Sequence, residues 1–303
     1  MANIGVVFPS PLPTGMALPD VASLAREAER AGFDCIWAED HLAYGDASVL
    51  DPMCVLAAAA AATEIIEVGS AIFVPSLRNL SWALKQVATV QAIARGRLQL
   101  GVALGGAGED EYRLAGLTRT GQRERTDEFL GILAAARRGG ESEATVPSTT
   151  RALLLSPAVP VPLLWVGGTS LAALRRAVHF GDGWLSGAQT PAEFKVSLNR
   201  LGQLAEEDGR SCPLAGVALS VAVGTAPTDE LVAKCAAAMQ TSYGFPADRA
   251  EELAIGGPPE QVAEEVARYL DAGATRVALI SAVLPWSESW PVLAEVRHIL
   301  QGA

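Results

Sequence analysis

Apolar runs of strand length alternate with helix-length segments almost from one end of the chain to the other, and this rhythm constrains the fold most. Runs at Ile4 to Phe8, Cys35 to Ala38, Ile65 to Phe73 and Arg97 to Leu104 are each followed by a helical pattern: Asp20 to Ala31, Pro52 to Thr63, Asn79 to Ala94 and Gly121 to Arg138. Pro162 to Val166, Gly183 to Leu185, Gly216 to Val223 and Arg276 to Ile280 extend the series, with helices beginning near Ser170, Pro191, Asp229, Pro258 and Glu288. Strands joined through helical crossovers pair in parallel. Eight of them make the count of an α/β (β/α)8 TIM barrel, with an open doubly wound sheet as the rival.

The first loop favours the barrel. It reads Phe8-Pro9-Ser10-Pro11-Leu12-Pro13 where a dinucleotide-binding sheet carries a glycine-rich turn, and a rigid proline loop cannot wrap a pyrophosphate. We read residues 1–303 as one domain with a surface excursion at 139–161, where Gly, Ser, Thr and Pro cluster around a candidate short strand at Ala152 to Leu155.

A formal net charge of -11 sets the chain apart from proteins that bind nucleic-acid backbones, which need a surplus of Lys and Arg. No apolar run is long enough to span a bilayer and no secretory pattern opens the sequence, so the expected location is the cytoplasm, without a membrane partner. Cys35, Cys54, Cys212 and Cys235 form no Cys-x-x-Cys pair and are expected to be reduced and mostly buried.

Three segments at predicted strand ends carry chemistry. Asp40 and His41 directly follow Cys35 to Ala38, at the rim where barrels place catalytic groups, and an imidazole beside a carboxylate suits proton transfer near neutral pH. A loop histidine satisfied by a backbone carbonyl is the plain alternative. Gly167-Gly168-Thr169-Ser170 ends a strand and opens a helix, bringing free amides, two hydroxyls and a helix dipole to one point, either as an anion cradle or as an ordinary capped turn. Arg175 and Arg176 in that helix are placed to support an anion but are expected to be solvated.

Around Ser70, Ala71 and Ile72, small residues next to an apolar pair would let a flat ring approach the backbone. Glu109-Asp110-Glu111 reads as a solvated helix start, and no metal is expected. His179 and His298 fall inside helices and are assigned structural roles. A phosphate-binding isomerase or aldolase would need a rim lysine or paired acids, whereas Lys85, Lys195 and Lys234 all fall in helices.

With these residues placed, the sequence resembles the bacterial luciferase-like family of flavin- and deazaflavin-dependent oxidoreductases. The resemblance rests on Ala31-Gly32-Phe33-Asp34 leading to Trp37 and Asp40-His41-Leu42, on Asp51-Pro52, and on Lys85 to Thr89 before Gly96-Arg97-Leu98. It continues through Pro162 to Gly168 before Gly181-Asp182-Gly183-Trp184, and Gly257 to Val262 before Ala272-Gly273. It implies a barrel enzyme that uses coenzyme F420 or FMN for hydride transfer or monooxygenation of a small organic substrate. Gly167, Gly168, Thr169 and Ser170 would receive the coenzyme phosphate, and a bulge at Ser70-Ala71-Ile72, often with a non-prolyl cis peptide, would back the ring. Asp40 and His41 would be the catalytic pair.

The resemblance also implies a homodimer, for which the Ala57 to Ala62 run offers a flat helix face. Related deazaflavin-dependent sugar-phosphate dehydrogenases place a Glu shortly after the fourth strand, where this chain reads Leu104-Gly105-Gly106; that argues against sugar phosphates and for an apolar pocket lined by small residues. An Arg-over-Lys, Ala-rich composition tilts the coenzyme assignment towards F420. A catalytically silent barrel kept as a binding or partner subunit is the alternative.

Overall fold

The computed structural model describes residues 2–9, 11–12, 15–106, 108–137, 159–282 and 286–302. Nine parallel strands are present among them: β1 (Asn3–Val7), β2 (Cys35–Ala38), β3 (Glu67–Phe73), β4 (Leu98–Val102), β5 (Leu163–Gly167), β6 (Gly183–Gly187), β7 (Leu214–Val223), β8 (Ile255–Gly257) and β9 (Arg276–Ser281). Eight of them close a ring in the order β1-β2-β3-β4-β5-β6-β7-β9, because β6 pairs with β7 and β9 pairs with both β7 and β1. This is a (β/α)8 barrel, and its strands are the eight expected from the alternation. The three-residue β8 lies outside the ring, paired only to the far end of β7. Its Ile-Gly-Gly sequence gives no strand signal of its own.

The helices among the described residues are α1 (Val21–Arg30), α2 (Pro52–Ala62), α3 (Leu80–Ile93), α4 (Glu109–Leu114), α5 (Gln122–Arg137), α6 (Leu171–Phe180), α7 (Pro191–Glu207), α8 (Thr228–Tyr243), α9 (Ala247–Leu253), α10 (Pro259–Asp271) and α11 (Trp286–Gly302). Local chemistry sets several of their starts. The carboxylates of Asp20 and Asp51 accept the amides of Ser23 and Cys54, and Asn79 caps α3. Thr190 and Glu193 form a reciprocal capping box at α7. The excursion at 139–161, with its candidate strand at Ala152 to Leu155, lies outside the described residues apart from its last three positions.

Two sequence expectations need correction. Only Cys35 and Cys235 are buried; Cys54 faces outward on α2 and Cys212 sits in the exposed turn before β7. Arg176 is not solvated: it pairs with Asp127 on α5 across 2.5 Å, and its side chain is only 9% exposed. His179 and His298 lie in α6 and α11, as expected.

Inside the barrel, indole rings fill the middle layer. Trp37 and Trp165 are almost wholly buried and pack with Val7, Leu185 and Ala278. Gly183 makes room for Trp165, since a Cβ there would stand 2.3 Å from the indole. Below them, at the amino ends of the strands, Arg276 lies over both indoles, 5.5 Å from the Trp37 ring and 5.0 Å from that of Trp165. Its guanidinium donates to Glu67 at 2.7 Å, and Glu67 also accepts from Gln99 and Asn3, while Gln99 accepts the Trp165 indole N–H. This end of the barrel is plugged by a polar network whose hydrogen bonds run among its own members, with the Asn3 Oδ1 left without one.

Candidate active site

At the opposite end, where the strands deliver their carboxyl termini, the rim encloses a cavity of about 310 Å³, at the small end of the range for ligand pockets. Much of its wall is apolar, including Ile72, Leu185, Leu219, Met239 and Ile280. No lysine, arginine or histidine stands among its described lining residues. The loop at Leu104-Gly105-Gly106 does not line it.

The β3 segment is irregular where the sequence expectation put a bulge. Its register against β4 slips between Ser70 and Phe73, and the Ala71–Ile72 peptide is cis. Ala71 and Ile72 line the cavity. Ser70 does not, because its hydroxyl turns back to donate to the Gly101 carbonyl at 2.8 Å.

Gly167, Gly168 and Thr169 also line the cavity. Gly168 has φ +113°, a backbone that favours glycine, and its carbonyl accepts the Trp184 indole N–H at 2.7 Å. Its own amide donates to Leu185, whereas the amides of Thr169 and Ser170 take no part in the backbone hydrogen bonds of this turn. Ser170 is the N-cap of α6, its hydroxyl accepting from the Ala173 amide, and it does not line the cavity. The turn and the bulge share one wall: a Cβ on Gly167 would stand 3.1 Å from Ile72 Cγ2.

Asp40 and His41 part company. Asp40 is buried, accepting the Val74 amide at 2.8 Å and both arms of Arg78 at 2.5 and 2.8 Å. Arg78 in turn lies over the Phe73 ring, so Asp40 locks the segment just after the bulge to β2. His41 instead faces Glu111: its Nδ1 lies 3.5 Å from Glu111 Oε1, just outside hydrogen-bond geometry, and its ring meets Tyr44 edge to face. Neither residue lines the cavity.

Glu111 was hidden in an acidic run that reads as solvated. Glu109 and Asp110 behave that way, both exposed and Asp110 paired with Arg113 on the surface, while Glu111 is 7% exposed and accepts the amides of Leu42 and Ala43. Glu109-Asp110-Glu111 therefore splits by direction and gathers around no common point.

The rim residue that sequence reasoning missed is Glu39. It lines the cavity and accepts a hydrogen bond of 2.9 Å from the Tyr243 hydroxyl at the end of α8. Burial pushes the Glu39 carboxyl up to about 7, with the Tyr243 hydrogen bond opposing. The Tyr243 hydroxyl is pushed well above its usual range, first by burial and then by the Glu39 charge. A signal for this existed. Side chains alternate along a strand, and Trp37 points into the barrel while Ile36 and Ala38 pack outward, so Glu39 inherits the inward direction and Asp40 the outward one.

A closed parallel barrel with a largely apolar cavity at its carboxyl rim is the architecture in which barrel enzymes place their active sites. The family model described as luciferase-like monooxygenase matches residues 3–252, and the chain belongs to that family of oxidoreductases. An uncharacterized protein of Mycobacterium tuberculosis is 28% identical over 214 residues, which cover 63% of this chain and 73% of the relative. An F420-dependent glucose-6-phosphate dehydrogenase of Beutenbergia cavernae is 34% identical over 171 residues, 52% of this chain and 49% of that protein.

Among solved structures, an F420-dependent secondary alcohol dehydrogenase superposes with a TM-score of 0.81 at 20% identity, covering 97% of this chain and 98% of its own. The FMN-bound oxygenating constituent of 3,6-diketocamphane monooxygenase from Pseudomonas putida gives 0.70 at 14% identity, covering 98% and 96%. These structural likenesses establish the fold.

Proposed function

We propose that the chain is an oxidoreductase that binds coenzyme F420, or FMN in its place, and acts on a small organic substrate. The observation that carries this reading is the shared cavity wall, where the Ala71–Ile72 bulge meets the Gly167-Gly168-Thr169 turn. The residues suit such a group. Ile72 offers a flat apolar backing to a ring, and the Thr169 hydroxyl, the Thr169 and Ser170 amides and the amino end of α6 offer donors to a phosphate. When bound, the coenzyme supplies hydride or oxygen-activating chemistry that no side chain here possesses.

The remaining work falls to this chain's own groups. His41, supported by Glu111, is assigned proton transfer at the mouth of the site. Asp40 is assigned the positioning of the bulge through Val74 and Arg78. The absence of a cation from the described lining, together with the Glu39 carboxyl, favours a neutral substrate over a sugar phosphate.

The same reading includes a cytoplasmic homodimer. Cys54, Ala58 and Ala61 lie exposed on the outward face of α2, and Trp82 on neighbouring α3 is 70% exposed. No helix among the described residues is long and apolar enough to cross a membrane. Light scattering at micromolar concentration should give twice the chain mass; a monomer would remove the dimer from the proposal. The coenzyme is tested by equilibrium titration with F420 and with FMN, followed by absorbance and fluorescence. Saturable binding, tighter for F420, is expected, and binding of neither would overturn the assignment.

A further inference from the structure

A carboxyl group aimed into a cavity without a cation among its described lining residues requires a partner, and among the described residues the hydrogen bond to Glu39 comes from Tyr243. Among the described residues the titratable groups around it are Tyr243 from α8, Tyr44 from the loop after β2, and Glu111 and Cys235 beyond them, with no lysine or arginine. In the ring of strands, β2 stands directly across from β6, with β5 next to β6, so Glu39 lies across the barrel mouth from the Gly167-Gly168-Thr169 turn. One side of the cavity is built to receive an anion. The other is built to hold a proton.

We propose that Glu39 is the acid–base group that lines the substrate cavity, acting beside the proton transfer assigned to His41 at the mouth, that the Tyr243 hydroxyl positions it, and that it selects neutral substrates whose oxygen gains or loses a proton in the reaction. This rests on the oxidoreductase reading above and deepens it. The step asked of Glu39 is one proton transfer: its O–H bond breaks as an O–H bond to the substrate oxygen forms, or the reverse, and Glu39 makes no other bond. An anionic substrate would meet the carboxylate form unscreened in a site without a countercharge, whereas a hydroxyl or carbonyl oxygen finds either a donor or an acceptor.

Chemistry and environment agree. A carboxyl raised to about 7 is half ionised near neutral pH, so it can both give and take a proton there. Tyr243 stabilises the carboxylate by donating to it, so its removal should raise the Glu39 midpoint further.

The test uses the full chain without added coenzyme, labelled with carboxyl-13C glutamate, so that its outcome does not depend on coenzyme binding. One resonance should titrate near pH 7, vanish in Glu39→Gln, and move to higher pH in Tyr243→Phe. Cyclohexanol and cyclohexanecarboxylate then serve as neutral and anionic probes of matched shape. At pH 8.5 the wild type should bind the alcohol about tenfold tighter than the acid, or about 1.4 kcal/mol, with the gap closing in Glu39→Gln. Saturating cyclohexanol should also shift the Glu39 midpoint, which a carboxyl with a purely structural role would not show. An ordinary carboxylate midpoint, equal affinity for the two probes, or a midpoint indifferent to cyclohexanol would each overturn the proposal. Failure to bind F420 or FMN on the same preparations would instead strike the coenzyme reading.

Discussion

The two ends of the barrel hold similar polar residues and use them in opposite ways. At the amino end, Arg276, Glu67, Gln99 and Asn3 bond to one another and to Trp165, so that the charge is neutralised where it stands. At the carboxyl end, Glu39, Tyr243 and Thr169 line a cavity, and the single hydrogen bond between Glu39 and Tyr243 leaves capacity for something else. A network whose charged members bond to one another specifies and stabilises, whereas polar groups left partly unsatisfied in a pocket are available for recognition. The difference predicts that changes at one end act on stability and changes at the other on binding and rate.

Gly168→Asp should break that contrast most severely at the carboxyl end. It puts a carboxylate beside the phosphate turn and a Cβ, on a backbone of φ +113°, only 3.0 Å from Ala173 Cβ. Coenzyme binding should disappear while the variant stays folded by circular dichroism; unchanged affinity would move the phosphate elsewhere. His41→Ala comes next, with retained coenzyme affinity and a turnover loss of about 100 to 10,000-fold, the scale of a general acid or base. Near-normal turnover in a folded His41→Ala protein would leave the residue as a mere loop support.

At the amino end, Arg276→Met should leave Glu67 without its cation. The expected cost is about 3 kcal/mol in denaturant unfolding, the lower end for a broken buried pair because the Glu67 side chain keeps 27% exposure. Coenzyme affinity of the folded fraction should be unchanged, and an affinity loss would erase the division between the two ends. The smallest effect is expected for Ser170→Ala, which removes the N-cap of α6 at about 1 kcal/mol of stability. Because Ser170 does not line the cavity, its removal should weaken the coenzyme far less than Gly168→Asp does; comparable losses would show that its hydroxyl binds the phosphate directly.

The contrast also explains what was legible in advance. All eight ring strands could be read from the alternation, because a parallel strand buried on both faces leaves an unbroken apolar run. The same logic failed for β8, whose two glycines carry no hydrophobic signal, and for α9, a seven-residue helix without a side-chain N-cap. Within the site, the turn at Gly167 could be read from its glycines and hydroxyls as an anion cradle or an ordinary cap, and the bulge at Ala71–Ile72 was expected only through the family resemblance. Glu39 and Glu111 were not. Their roles depend on direction: Glu39 on strand parity, and Glu111 on a loop that folds back across 69 residues to present the amide of Leu42. Asp40 and His41 were found as a pair by adjacency alone, and adjacent residues on an extended chain point apart.

Closure of the ring by β9 has a consequence for synthesis of the chain. The last ring strand is the only one that joins β7 to β1, so a ribosome-bound chain that has emerged only as far as residue 275 carries a sheet with two unpaired edges. Such edges are templates for pairing with other chains until the final segment arrives. The polar plug cannot form before then either, since Arg276 is the first residue of β9. Nascent chains arrested before this point should depend on holding chaperones, and emergence of β9 should convert an open, adhesive sheet into a sealed one.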